Sequence, residues 1–199
     1  MPHRKRLSLP ALALSIVLLL SGCGAPVAPN QGQSAALDWK VHDFSYTNQD
    51  GETVSLEDLQ GDVWLASFIF TKCVTVCPPM TANMVKLQQQ LQEEGLDVSI
   101  VSFSVDPEVD SPEVLREYGE SFDADFSNWH FLTGYTMEDI QQFAQDSFKT
   151  LVEPEPDSDQ VMHGTSFYLV NQSGHVVEKF NGVEPPNDEI IKTIKTLGD

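Results

Sequence analysis

Cys73 and Cys77 stand four residues apart between an apolar run and a proline pair, in the stretch Phe68-Ile69-Phe70-Thr71-Lys72-Cys73-Val74-Thr75-Val76-Cys77-Pro78-Pro79-Met80. Thiolates are soft ligands that select Cu(I), Zn or iron–sulfur clusters, and the same thiolates attack disulfides. The pair therefore supports two chemistries, soft-metal binding and thiol–disulfide exchange. Its C-x-x-x-C spacing differs from the C-x-x-C of common oxidoreductases. A helix starting at the prolines sets Cys77 beside unpaired N–H groups, and Lys72 adds a cation next to Cys73, so both positions favour thiolate over thiol. Inert core thiols or a buried disulfide would want apolar neighbours, whereas Thr, Lys and Pro make this segment a loop.

A third ligand would tip the balance toward metal. Of the histidines beyond the amino terminus, His42 lies near the start of the domain and His130 sits inside an apolar strand, where a satisfied core role is the ordinary one. His175 falls at a hairpin turn and reads as solvated. His163, in Val161-Met162-His163-Gly164-Thr165-Ser166-Phe167, ends an irregular loop just before a strand, where it can be laid over the cysteines. Met80 and Met84 carry sulfur that suits Cu(I), but their spacing assigns them to the apolar face of a helix. Glu153, Glu155, Asp157 and Asp159 read as a solvated charged loop.

The elements that must position these residues follow from periodicity. Residues 63–70 are nearly all apolar and β-rich, a strand buried on both faces. Met80, Met84, Leu87 and Leu91 define an amphipathic helix from Pro79 to about Gly95. Residues 98–105 form a second buried strand ended by Asp106-Pro107. Ser111-Pro112 starts a helix to about Glu120, residues 129–132 a third strand, and Thr136 caps a helix over 137–148. Residues 150–162 have no period and read as loop. Strands over 165–170 and 176–180 flank the turn Asn171-Gln172-Ser173-Gly174, and a last helix follows Pro185-Pro186. Such alternation specifies an α/β sheet with covered faces and an antiparallel hairpin at one edge. Its working end lies beyond the carboxyl ends of the parallel strands, where Cys73, Cys77 and Asp106 all fall.

The amino terminus reads as an address. Basic Arg4-Lys5-Arg6, an apolar stretch over 7–20, and Leu20-Ser21-Gly22-Cys23 resemble a bacterial lipoprotein signal, residues 1–22, cut before a lipid-bearing Cys23. An ordinary secretory signal or an uncleaved anchor would put the domain on the same, extracytoplasmic side. Acyl chains contribute about 0.8 kcal/mol per buried methylene, so two or more hold a protein stably at a membrane. Residues 23–36 are a small, polar, Pro/Gly-rich tether, and one domain spans 37–199. The chain holds three cysteines; with Cys23 lipidated, the remaining two are the pair in question. A domain of roughly 160 residues builds an ordinary core and needs no stapling disulfide. The formal charge of −19 becomes −22 once three basic residues and no acid leave with the signal. That charge excludes nucleic acid as a partner.

Taken in order, these motifs resemble the Sco/SenC family, thioredoxin-like proteins that help assemble the dinuclear copper centre of cytochrome c oxidase. The resemblance covers nearly the whole domain. Cys73-x-x-x-Cys77-Pro78 matches the metal motif, Phe103-Ser104-Val105-Asp106-Pro107 the next strand and aspartate, and His163 with Phe167-Tyr168-Leu169-Val170 the histidine segment. The lipid anchor and the Val-Thr-Val between the cysteines are similar to Bacillus-type members; many others carry Pro-Asp within that loop. The resemblance implies a thioredoxin-like fold, a mixed sheet with helices on both faces. It implies copper, as Cu(I), Cu(II) or both, held by Cys73, Cys77 and His163, with Asp106 supporting. The implied partners are the copper-bearing subunit of the oxidase, a thiol–disulfide reductant, and the outer face of the bacterial cell membrane. The implied role is a copper chaperone rather than an enzyme. A thiol–disulfide reductase that keeps the copper-ligand cysteines of the oxidase reduced is the alternative, with Cys73 and Cys77 as its redox-active pair. A peroxide scavenger would instead turn over peroxide and ignore copper.

The anchor carries its own test. Cys23→Ser should move the protein from the membrane fraction to the soluble fraction; continued sedimentation with membranes would identify an uncleaved helix instead.

Overall fold

The computed structural model describes residues 37–198. The signal over 1–22, Cys23 and the tether over 23–36 lie outside the described residues. A six-stranded sheet runs in the order β1-β10-β9-β4-β5-β6. Its centre is β4 (Trp64–Ile69), parallel to β5 (Ser99–Ser104), which is parallel to β6 (Trp129–Leu132). Helices α1 (Cys77–Glu93) and α2 (Pro112–Ser121) make the two crossovers. Helix α3 (Met137–Phe148) leads to a hairpin of β7 (Val152–Pro154) and β8 (Val161–His163). A second hairpin, β9 (Ser166–Val170) and β10 (His175–Asn181), precedes α4 (Asn187–Gly198). At the start of the domain, β1 (Trp39–Lys40) covers β10, and β2 (Ser45–Thr47) pairs with β3 (Thr53–Ser55). No helix among the described residues is long and apolar enough to cross a membrane.

All six residues of β4 are buried, as its unbroken apolar sequence predicts. The two faces are separable through the register. Ser67 pairs with Ser102 and Ser102 with Phe131, and Phe131 meets Tyr118 of α2 edge-on. Phe68 pairs with Phe103 on the other face, where Phe143 and Phe148 of α3 pack against them. Helices therefore cover both faces of a mixed sheet, the thioredoxin-like architecture.

Three expectations are corrected. Residues 150–162 are not all loop: the β7–β8 hairpin lies within them, with Glu153 paired to Met162. Its strands are three residues long, too short to show a period-2 signal, and the turn between them is acidic. Helix α1 begins at Cys77, two residues before the expected Pro79, because Pro is tolerated through the first turn, where no N–H partner is needed. The β9–β10 hairpin is not an edge: β9 pairs with β4 in the sheet interior and short β1 closes the outside.

Phe103 is fully buried among Phe44, Phe68, Phe143 and Phe148. Truncating it to alanine removes the ring that joins β5 to α3, and Phe103→Ala should cost about 3–5 kcal/mol. Urea unfolding followed by circular dichroism measures this loss.

Candidate metal centre

Chain leaving β4 turns at once: the Cys73 N–H donates to the Phe70 carbonyl at 3.2 Å. Two ties hold the loop that follows. At its start, the Thr71 hydroxyl donates to Asp110 Oδ1 at 2.6 Å. At its end, the Cys77 N–H donates to Cys73 Sγ at 3.3 Å. This second tie explains the helix start. The N-cap residue Val76 offers no side-chain acceptor to the first turn of α1. The Cys73 sulfur accepts instead, doing the work that a Ser or Asp usually does at an N-cap.

His163 arrives from the other side of the sheet. It ends β8, three residues before β9, and β9 runs antiparallel to β4 with Ala66 opposite Tyr168. The start of β9 thus lies beside the end of β4, where the cysteine loop begins. His163 Nε2 sits 3.3 Å from Cys77 Sγ, and its ring meets Phe70 edge-on at 5.7 Å between centroids. Nδ1 lies 2.9 Å from the Gly164 carbonyl, which accepts only, so Nδ1 carries a hydrogen. Nε2 is left to handle protons and ligands on the sulfur side. A β-carbon on Gly164 would come within 2.3 Å of Thr150 Oγ1, so glycine is what lets this carbonyl lie where it does.

Cys73, Cys77 and His163 offer two sulfurs and one ring nitrogen within 4.8 Å of one another, and no other group of three or more Cys, His, Asp or Glu side chains does so among the described residues. Cys73 is 5% exposed and Cys77 0%; both are free thiols. The two differ electrostatically. Burial disfavours a thiolate at Cys73, but the polar surroundings supplied by His163, by the Cys77 side chain and N–H and by the Thr75 backbone outweigh it and bring the pKa down to about 5. At Cys77 burial wins. It pushes the thiol up, helped by the hydrogen bond to Cys73 and by the negative charges of Cys73 and Asp110, against a backbone hydrogen bond from Phe70. The expected thiolate preference at both positions is therefore corrected: the helix N-terminus favours Cys73, which caps it, and not the buried Cys77. Exposed Lys72 faces acids rather than the sulfurs, acting on Asp106 and Asp159.

The remaining candidates lie apart from this trio. Asp106 is partly buried on a groove also lined by Lys72, Glu108 and Asp159, and burial raises its pKa. The acid beneath the cysteine loop is Asp110, fully buried, which sequence reasoning passed over; its only sequence signal was its place in a turn after Asp106-Pro107. Met80 and Met84 are buried in the core, as their spacing predicts. Glu153, Glu155, Asp157 and Asp159 are exposed. His42 is exposed, and His175 is paired with Asp38 rather than simply solvated. His130 is not satisfied: its buried Nδ1 has no hydrogen-bond partner.

The sequence profile of the SCO1/SenC family matches residues 33–198. The "SCO1 protein homolog" of Bacillus subtilis (strain 168) is 48% identical over 182 residues, 91% of this chain and 92% of its own. Among solved structures, that of BsSco, described as revealing a disulfide switch in a member of the Sco family of cytochrome c oxidase assembly proteins, matches with TM-score 0.76 and 50% identity over 81% of this chain and 95% of its own. Bradyrhizobium japonicum ScoI with copper bound matches with TM-score 0.66 and 26% identity over 81% of this chain and 99% of its own.

In metal-free protein the two thiols should titrate as widely separated steps. The first should centre near pH 5, against 9.0 for an ordinary thiol. Because the folded-state value is the lower one, this ionisation contributes its full stability above pH 9 and loses it as pH falls through about 5. Thiolate ultraviolet absorbance followed against pH checks it; a single step near pH 9 would contradict it.

Proposed function

This chain belongs to the SCO1/SenC family, and on that premise we propose that it binds copper through Cys73, Cys77 and His163 and serves assembly of the dinuclear copper centre of cytochrome c oxidase. The observation that carries the reading is the convergence of two sulfurs and the His163 Nε2 within 4.8 Å. The donors fit the ion: two sulfurs and an imidazole suit copper better than any hard cation. The copper-bound relative from Bradyrhizobium japonicum and the oxidase-assembly relative BsSco support the same assignment.

The residues divide the work. Cys73 is a thiolate at neutral pH and needs no proton removed, whereas Cys77 must give one up, so loading displaces that proton. Gly164 keeps the His163 hydrogen on Nδ1 and leaves Nε2 to face the sulfurs. Three protein donors leave coordination positions for ligands of an acceptor. Copper is the cargo, and joining Cys73 to Cys77 as a disulfide would remove two of its three donors, so occupancy depends on redox state. A lipid on Cys23 would hold the domain at the outer face of the cell membrane, and the tether over 23–36 would give it reach to the copper-bearing subunit.

A second reading has its own observation, the depressed pKa of Cys73. As a thiol–disulfide reductase, the Cys73 thiolate would attack one sulfur of a partner disulfide and expel the other as a thiolate. Cys77, losing its proton, would then attack the Cys73 sulfur and release the partner fully reduced. The chain would be left as a Cys73–Cys77 disulfide, two electrons having passed to the partner, and a thiol reductant would restore it.

His163→Ala separates the two. Losing one of three donors should weaken copper binding by 100-fold or more, on the order of the 1.4 kcal/mol per decade scale applied twice or beyond. Disulfide exchange should survive, slowed as the Cys73 pKa rises without His163. X-ray absorption on the copper-loaded protein should show two sulfurs and a nitrogen. Wild-type copper affinity and spectrum in His163→Ala would overturn the three-ligand centre.

A further inference from the structure

Asp110 is a buried acid that neither chemistry uses. It is 0% exposed, and no Lys, Arg or His pairs with it among the described residues. What surrounds it is a set of donors. The Thr71 hydroxyl donates to Oδ1 at 2.6 Å, the Ser104 hydroxyl to Oδ2 at 2.5 Å, and the Thr71 N–H reaches both oxygens at 3.3 Å. Ser104 Oγ accepts the Asp106 N–H at 3.1 Å, which leaves its own hydrogen for Asp110. Two hydroxyls and an N–H suit a carboxylate, which accepts on both oxygens, whereas an amide has only one oxygen to offer them. Burial raises the Asp110 pKa, and the hydrogen bonds from Ser104 and Thr71 oppose the rise.

The connections are mechanical. The Asp110 N–H donates to the Asp106 carbonyl at 2.9 Å, so the carboxylate is fixed from its own side to the turn that ends β5. Thr71 lies two residues before Cys73, inside the turn closed by the Cys73 N–H and the Phe70 carbonyl. Among the described residues the loop lies open on its outer side: Val74 is 82% exposed. The start of the loop is thus held from beneath, by Thr71 on Asp110, and its end by the Cys77 N–H on Cys73 Sγ.

We propose that Asp110 is a positioning residue of the dithiol: through Thr71 it pins the start of the cysteine loop to the end of β5 and so keeps Cys73 Sγ within reach of Cys77 and His163. The consequence for copper rests on the metal reading of the site; the pinning does not. Release of the pin should free Cys73 first, because Cys77 is rooted in α1.

The test uses the metal-free full chain and iodoacetamide, with alkylation of each cysteine followed by peptide mass spectrometry. Asp110→Asn and Thr71→Val should each speed Cys73 alkylation roughly tenfold to a hundredfold, the loss expected for a charge-assisted hydrogen bond that restrains a local opening. Cys77 should stay protected, Thr71→Ser should match wild type, and the double variant should react no faster than either single one. Unchanged Cys73 rates in both single variants would overturn the pinning, and so would Cys73 and Cys77 accelerating together, which marks general loosening. If Asp110→Asn does not fold, Thr71→Val carries the test. Unchanged Cys73 alkylation alongside lost copper binding in His163→Ala would remove the pinning and keep the copper centre. Faster Cys73 alkylation with wild-type copper binding in His163→Ala would do the reverse.

Discussion

The contact between Cys77 Sγ and His163 Nε2 joins residues 86 apart in sequence, and it exists because β9 runs antiparallel to β4 in one register. That register is strongly specified. β4 is buried on both faces, and β9 is buried from Phe167 to Val170, so a slip of one residue would exchange the packed faces of both strands. With Leu65 opposite Leu169 and Ala66 opposite Tyr168, the chain that precedes β9 has to emerge where the chain that follows β4 departs. The sheet core thus places the imidazole within reach of the thiols before any site residue contributes. Local contacts finish the placement: the Phe70 ring edge and the Gly164 carbonyl set the plane of the histidine and the position of its hydrogen.

Once brought together, the two sulfurs are not equivalent. Cys73 caps α1 with its sulfur and gathers hydrogen bonds that favour charge, while Cys77 lies at the first position of the same helix but with no exposure at all. A helix terminus lowers a thiol pKa only where the sulfur stands in front of the N–H groups, which here is the position four residues upstream. The pair holds one thiolate and one proton across the neutral range. That state suits a metal donor set, since one site is open without deprotonation. It equally suits disulfide exchange, since one thiolate attacks and the second thiol resolves.

Long periodic segments were legible in the sequence. The order β4–α1–β5–α2–β6–α3, the Ser111 and Thr136 caps, and the core roles of Met80 and Met84 follow from runs and spacings that the structure repeats. The cysteine–histidine trio was legible through motif order, not through spacing, because no local rule links residue 163 to residue 77. Strands of two or three residues left no period to read, which hid β1, β2, β3 and the β7–β8 hairpin. The choice between two nearby acids was equally hidden. Asp106 and Asp110 fall in one turn, and only the closing backbone bonds decide that Asp110 points beneath the loop while Asp106 lines an outer groove.

The site is open in one direction. The sheet and Asp110 close it beneath, α1 closes it behind Cys77, and the outer side presents Val74 at 82% exposure. Met162 is 53% exposed on the strand that carries His163, and side chains alternate along a strand, so it is directed away from the imidazole and toward solvent. Any acceptor sulfur or nitrogen therefore reaches Cys73 before Cys77. Under the copper reading, ligand exchange would start at the donor that holds charge without help. For a disulfide, the same order would mean attack by the thiol that is already ionised, with the protonated thiol held back at no exposure until a mixed disulfide has formed. The same burial that raises the Cys77 pKa would thus set the sequence of events in either proposed chemistry.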